Sequence, residues 1–372
     1  MQNVRHGSRA RIATVGLATG GVLLLAACGA ANESTAPPAG GTGAMVSGTI
    51  AGAGASSQQA AIQAWSAGFS SANPDATVNY DPSGSGAGRD QFTAGGVAFA
   101  GSDAYLDEEE LAKAQQRCGG VDSVVELPVY ISPIAVVYNL QGVTDLNLAP
   151  ATIAKIFNRQ ITRWNDPAIA EDNPGAPLPD LAITPVNRSD KSGTTENFTE
   201  YLVDTAGADW PYEASGDWPV AGGEAAQGTS GVVGRVQGGQ GTVAYVDASQ
   251  AGGLGVAKVK VGTAYVAPTP EAAAAIVENS PRVEGRGKWS FAVDLQRDTA
   301  ESGNYPIVLV SYDLACTTYP DATTGPVVKA FLSYVISKDG QQAAADAAKS
   351  APISDAQRTT FQPAVDAIAA AS

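Results

Sequence analysis

Histidine occurs once in the 372 residues, at His6, and cysteine three times, at Cys28, Cys118 and Cys316. Around His6, Arg5, Arg9 and Arg11 precede an apolar run from 12 to 27 that ends in "LAAC" at Cys28. That pattern has the form of a bacterial lipoprotein signal over residues 1–27, with Cys28 as the lipidated first residue of an extracytoplasmic protein. The run is shorter than the roughly 20 residues of a permanent span, and no other stretch is a candidate. Removing the signal removes the only histidine, which excludes a Ser-His-Asp triad and a zinc site with imidazole ligands. Basic residues are also scarce, 22 Lys and Arg against 37 Asp and Glu, for a formal charge of -15. The three arginines leave with the signal, so the mature balance is about -18. Such a surface excludes nucleic acid as a partner, because little would neutralise a phosphate backbone. No acidic cluster has metal-ligand spacing, and no repeat of fixed period is present.

The remaining chain is long enough for two ordinary domains. Residues 28–46, rich in Gly, Ala, Pro, Ser and Thr, read as a flexible tether between lipid and fold. From about residue 47, short β-like runs alternate with amphipathic segments, which predicts an α/β protein with largely parallel sheets. Ile62, Trp65 and Phe69 share one helix face, and Asp107 with Glu110 has capping-box spacing. Two strand-like runs, at 124–140 and 305–316, are long enough to cross between domains. As crossovers they divide the chain into one lobe of 47–129 plus 307–372 and an inserted lobe of 130–306. Helical segments after residue 327 are expected to pack on the first lobe. Cys118 and Cys316 read most simply as a disulfide in an oxidising compartment, two free buried thiols being the other reading.

Three segments share one design, a strand-like run, a small-residue loop and a helix start. They are "TIAGAGASS", ending at Ser56 and Ser57, "VNYDPSGSGAGRDQF", centred on Ser85, and "ITPVNRSDKSGTTENF", with Ser192, Gly193 and Thr194 before the helix. Such loops leave backbone N–H groups free, and the helix dipole adds positive potential there, so they suit anions. Arg188 adds a fork of donors matched to a tetrahedral oxyanion, and Asp190 two residues on is placed to brace it. Asp103, at the end of an apolar strand, is the unexpected member. A carboxylate only accepts hydrogen bonds, so it suits an anion that still carries a proton. Phosphate at neutral pH carries one and sulfate does not, which makes the acid a device against sulfate.

These residues resemble the PstS-type phosphate-binding proteins that feed the high-affinity ABC phosphate importer. The resemblance runs from about Gly48 to the C-terminal helices on six blocks in family order: "GAGAS", "GSGAG", "FAGSDAYL", "IFNRQITRWNDPAI", "NRSDKSGTTENFT" and "GTVAYVD". It implies a two-lobed periplasmic-binding-protein fold, with hinge strands and a ligand cleft between the lobes. It implies no enzyme activity, no cofactor and no metal, and a monomer that delivers inorganic phosphate to ABC permease subunits; the lipoprotein signal would anchor it to the outer face of the cell membrane. Carried over by position, the phosphate ligands are Ser56, Ser57, Ser85, Asp103, Arg188, Ser192, Gly193 and Thr194, with Asp190 behind the arginine. Ser57 and Gly193 are expected to contribute backbone amides. The sequence departs from the family at Ser57, where relatives often carry a bulky aromatic, so closure over the anion is expected to be looser or arranged otherwise. The Cys118 and Cys316 pair is no part of the family pattern. A phosphatase with a serine nucleophile is the alternative of another class, and arsenate, phosphite or a small organic phosphate are alternative ligands.

Overall fold

The computed structural model describes residues 45–371. The signal, Cys28 and the tether up to residue 44 lie outside the described residues.

Regular structure begins where small polar residues give way to apolar alternation. β1 (Gly48–Gly54) leads into α1 (Gln59–Ala72), which buries Ile62, Trp65 and Phe69 on one face as their spacing predicts. β2 (Ala76–Asp81), α2 (Ser85–Thr93) and β3 (Phe99–Ser102) follow, and β1 pairs in parallel with both β2 and β3. α3 (Glu108–Cys118) opens on the expected capping box: Asp107 accepts from the Glu110 amide while the Glu110 carboxylate accepts from the Asp107 amide. It stops at Gly119 in the left-handed region. β4 (Val124–Tyr138) is buried along its full length.

A second wing follows. It contains β5 (Asn147–Leu148), α4 (Pro150–Phe157), α5 (Pro167–Asp172), β6 (Thr184–Arg188), α6 (Gly193–Ala206), β7 (Glu224–Ala226), α7 (Gly228–Gly238) and β8 (Thr242–Asp247). β6 pairs in parallel with β7 and β8. After β9 (Gly255–Val256), β10 (Lys258–Val261), β11 (Ala264–Val266) and α8 (Pro270–Glu278), the chain returns through β12 (Val308–Cys316). It ends with β13 (Thr318–Tyr319), α9 (Thr324–Ile336), α10 (Lys338–Ala348), α11 (Asp355–Asp366) and β14 (Ala369–Ala370).

The main sheet has the order β2-β1-β3-β12-β4-β8-β6-β7, with β9 beside β4. It is mixed rather than largely parallel. Each wing is parallel, but β12 is antiparallel to both β3 and β4, and β4 is antiparallel to β8. The cause is topological, since the outgoing and returning connections lie side by side and must run in opposite directions. Both are covered on both faces, which explains their unbroken apolar sequences. The C-terminal helices pack on the first wing as expected, the Trp65 indole N–H donating to the Gly340 carbonyl at 2.7 Å.

Cys118, at the end of α3, is disulfide-bonded to Cys316, at the end of β12, with Cα atoms 5.1 Å apart. The stretch 282–293, within the inserted segment, runs along the start of β4. The Phe291 amide donates to the Glu126 carbonyl, the Glu126 amide to the Trp289 carbonyl, and the Phe291 ring packs on Phe361. Arg286 is buried there with Glu126.

Candidate functional site

The three loops singled out in the sequence stand at the ends of β1, β2 and β6, each followed by a helix. Ser192 caps α6 by accepting from the Thr195 amide at 3.2 Å. The helix then follows from burial of Phe198, Tyr201 and Leu202 on one side. Gly193, its first residue, meets the other loops at a distance no side chain would allow. A Cβ there would lie 2.6 Å from Asp103 Cβ and 2.7 Å from Ser85 Oγ.

Asp103 is the centre of the cluster and is buried. Its carboxylate accepts from Ser57 Oγ at 2.7 Å and from Thr194 Oγ1 at 2.9 Å. Its amide donates to Ser85 Oγ at 3.1 Å, and its carbonyl accepts from Asn197 Nδ2 at 2.7 Å. Burial pushes the Asp103 carboxyl above the ordinary range, while hydrogen bonds from Ser57 and Thr194 and the Arg188 charge pull it back. Ser57 is thereby given a role beyond its backbone. Where an aromatic was the expected family residue, its hydroxyl is wholly buried on the central acid.

Arg188 is buried at the end of β6 and grips Asp190 through Nε, at 2.8 Å from Oδ1, and through Nη2 to Oδ2. A guanidinium has five N–H bonds, so this brace leaves three for another partner. Burial raises the Asp190 carboxyl, but the Arg188 hydrogen bonds and charge outweigh it and hold the group below its usual range. Asp190 also accepts from the Gly228 amide at 3.1 Å.

Ser56, Ser57, Ser85, Asp103, Arg188, Ser192, Gly193 and Thr194 are all buried. Ser57, Ser85, Asp103, Gly193 and Thr194 touch directly. Ser56 contacts Thr229, its Oγ lying 3.0 Å from Thr229 Oγ1, and the preceding Gly228 is tied to Asp190, the brace of Arg188. A charged network borders the cluster, in which Arg89 contacts Glu110 at 2.9 Å, Ser102 Oγ at 2.9 Å and Glu196 at 3.4 Å.

Thr229, Gly228, Asn197 and Gln250 were not singled out from the sequence. "QGTSG", residues 227–231, is a fourth small-residue loop before a helix. It escaped notice because β7, ahead of it, has three residues with little burial and no strand pattern. Asn197 lies one helical turn beyond Gly193 and donates to its carbonyl at 2.9 Å as well as to Asp103. Among the described residues no group of His, Cys, Asp and Glu is arranged to hold a metal, and no helix is long and apolar enough to cross a membrane.

Buried donors and one acid between two α/β wings joined by β4 and β12 define a two-lobed binding protein of the periplasmic type. Residues 39–339 match the PBP-like family, described as a PBP superfamily domain. The chain is 36% identical over 370 residues to phosphate-binding protein PstS 3 of Mycobacterium leprae, covering 96% of this chain and 98% of that one. It is also 36% identical over 340 residues to phosphate-binding protein PstS 2 of Mycobacterium tuberculosis, covering 87% and 90%. The chain belongs to the PstS family of phosphate-binding proteins. Its fold is similar to that of the high-affinity periplasmic phosphate-binding protein PfluDING bound with phosphate, with a TM-score of 0.70, 24% identity and coverage of 85% and 93%.

Proposed function

We propose that this protein captures inorganic phosphate in the cleft between its lobes and delivers it to the permease subunits of an ABC importer. The observation that carries the reading is Asp103, a buried acceptor held among Ser57, Ser85, Thr194 and Gly193 at the ends of three anion-binding loops. Serine and threonine hydroxyls, free amides and the three remaining Arg188 N–H bonds donate to ligand oxygens. Asp103 accepts the one proton that the ligand carries. The names of the relatives support the same ligand.

Ser56, Ser57, Ser85, Asp103, Arg188, Ser192, Gly193 and Thr194 are proposed as its ligands, with Asp190 bracing the arginine. Lobe I is proposed to comprise 47–129 plus 307–372 and lobe II 130–306, with β4 and β12 as hinges and 282–293 draped back over lobe I. The protein acts as a monomeric carrier and not as an enzyme. It works outside the cytoplasm, held to the outer face of the cell membrane by lipid on Cys28.

Calorimetric titration of residues 29–372 with phosphate, arsenate and sulfate tests the ligand. Phosphate is expected to bind tightly and sulfate at least roughly a thousandfold more weakly, the size of penalty that an unpaired buried carboxylate facing an aprotic oxygen imposes. Equal affinity for phosphate and sulfate rejects the role given to Asp103. Hydrolysis of a phosphomonoester that disappears in Ser56→Ala or Ser192→Ala would replace the carrier reading with a catalytic one.

A further inference from the structure

Ser56 is held from across the cleft by two residues of the proposed lobe II. The Thr229 amide donates to Ser56 Oγ at 3.1 Å, and Thr229 Oγ1 lies 3.0 Å from the same atom. Gln250 Nε2 donates to the Ser56 carbonyl at 3.0 Å and to the Ser57 carbonyl at 3.3 Å. Gly228, at φ +67, makes the left-handed turn into α7 that aims the Thr229 amide at Ser56, and its own amide is tied to Asp190.

A hydroxyl oxygen has two lone pairs and one hydrogen. The Thr229 amide occupies one lone pair of Ser56 Oγ. Either hydroxyl can donate in this contact; Thr229 Oγ1 is buried with no other hydrogen-bond partner among the described residues, and when it donates it fills the second lone pair of Ser56 Oγ. The Ser56 hydrogen is then the only valence left to face the cleft. With the opposite polarity Ser56 would turn a lone pair toward an anion, which is repulsive for any deprotonated oxygen.

We propose that Thr229 is a positioning and specificity-determining residue that converts Ser56 into an obligate hydrogen-bond donor, and does so only when the lobes close. The inference rests on the phosphate-binding reading and adds a division of labour to it. Ser56, locked by Thr229, selects an oxygen without a proton, and Asp103 selects the oxygen that carries one. Because the lock spans the cleft, the open form presents Ser56 without a fixed polarity, and binding and closure become one event.

A double-mutant cycle tests it, with phosphate as the probe in calorimetry. Thr229→Val keeps the shape and the backbone amide but removes the hydroxyl. It is expected to weaken phosphate binding roughly ten- to a hundredfold, the value of one hydrogen bond to a charged group. The unliganded melting temperature is expected to stay near that of the wild type. Thr229→Ser restores most of the lost affinity. In a Ser56→Ala background, Thr229→Val should add less than about a twofold effect, since the residue it acts through is gone. Wild-type affinity in Thr229→Val, or losses that multiply in the double variant, would overturn the proposal. If Thr229→Val does not fold, Thr229→Ala and Thr229→Ser in the same cycle decide the matter by the same two criteria. A wild-type protein that binds no phosphate instead removes the functional reading beneath it, an outcome seen before any variant is made.

Discussion

At the scale of single residues, the proposed site separates charge from proton recognition. Arg188 supplies a full positive charge that acts on Asp103, and its geometry is set by a bidentate grip on Asp190. Arg188→Lys keeps the charge and loses the fork. With charge-assisted hydrogen bonds contributing about 1.5–3 kcal/mol each, calorimetry is expected to show phosphate affinity lower by roughly tenfold to a hundredfold or more. Affinity equal to wild type would mean that the fork is not what the ligand uses. Asp103→Asn addresses the other half. The amide can donate where the carboxylate only accepts, so sulfate binding is expected to rise toward that of phosphate while the fold is kept. Continued exclusion of sulfate by Asp103→Asn would place selectivity elsewhere. Ser57 is the residue at this scale whose side chain does more than the family resemblance implied. Besides the backbone contribution expected of it, its side chain is short enough to turn inward and reach both Asp103 oxygens at 2.7 Å.

At the scale of elements, four strand–loop–helix units converge, and three were legible in the sequence. The strand-like runs of five to seven residues before Ser56, Ser85 and Ser192 make those loops visible, whereas the one before Thr229 is three residues long. The two long connecting strands were legible too, as apolar runs with no polar alternation. Their lateral pairing was not, because hydropathy marks burial without naming the neighbour. The disulfide belongs at this level. It joins the end of α3 to the end of β12 and spans 198 positions, so the whole inserted segment lies within the closed loop. In the chain-entropy account, closing so long a loop stabilises by up to roughly 5 kcal/mol. The double variant Cys118→Ser, Cys316→Ser is expected to melt well below the wild type in non-reducing buffer, and wild type unfolded with reductant should refold to the variant's stability. Identical melting curves with and without the bond would show that it carries little stability.

For the whole molecule, an acidic protein holds a site suited to an anion because the two act at different ranges. Surface charges are screened beyond about 8–10 Å at physiological salt, while amides, hydroxyls and Arg188 act at contact distance. Buried acids also shape the pH dependence of stability. Burial pushes Asp313 up to about 7 and Asp247 up to about 6, with the Asp313 value moderated by a hydrogen bond from Gln58. Their unfolded values lie near 4, so the folded protein binds more protons between about pH 4 and 7 and its stability falls as pH rises through that window. Asp313→Asn cannot ionise. It is expected to flatten part of that slope and to melt above the wild type at pH 8 in the unliganded state, by an amount on the order of a few kcal/mol. Parallel melting-temperature profiles from pH 5 to 8 for variant and wild type would show that Asp313 does not titrate in this range.

The sequence by itself determined the elements that depend on local chemistry: the capping box of α3, the buried face of α1, the β1, β2 and β6 loop ends and the lengths of the crossing strands. It also marked Asp103 as an acid at the end of an apolar strand, the ground for the proposal that it recognises a protonated anion. Tertiary structure alone decided the mixed sheet, the return of 282–293 to the first wing, the inward turn of Ser57 and the grip of Thr229 on Ser56. Each of these joins groups far apart along the chain, Thr229 and Ser56 by 173 positions. Hydrogen bonds over such separations are set by how the wings pack, and no spacing rule along the chain encodes that packing.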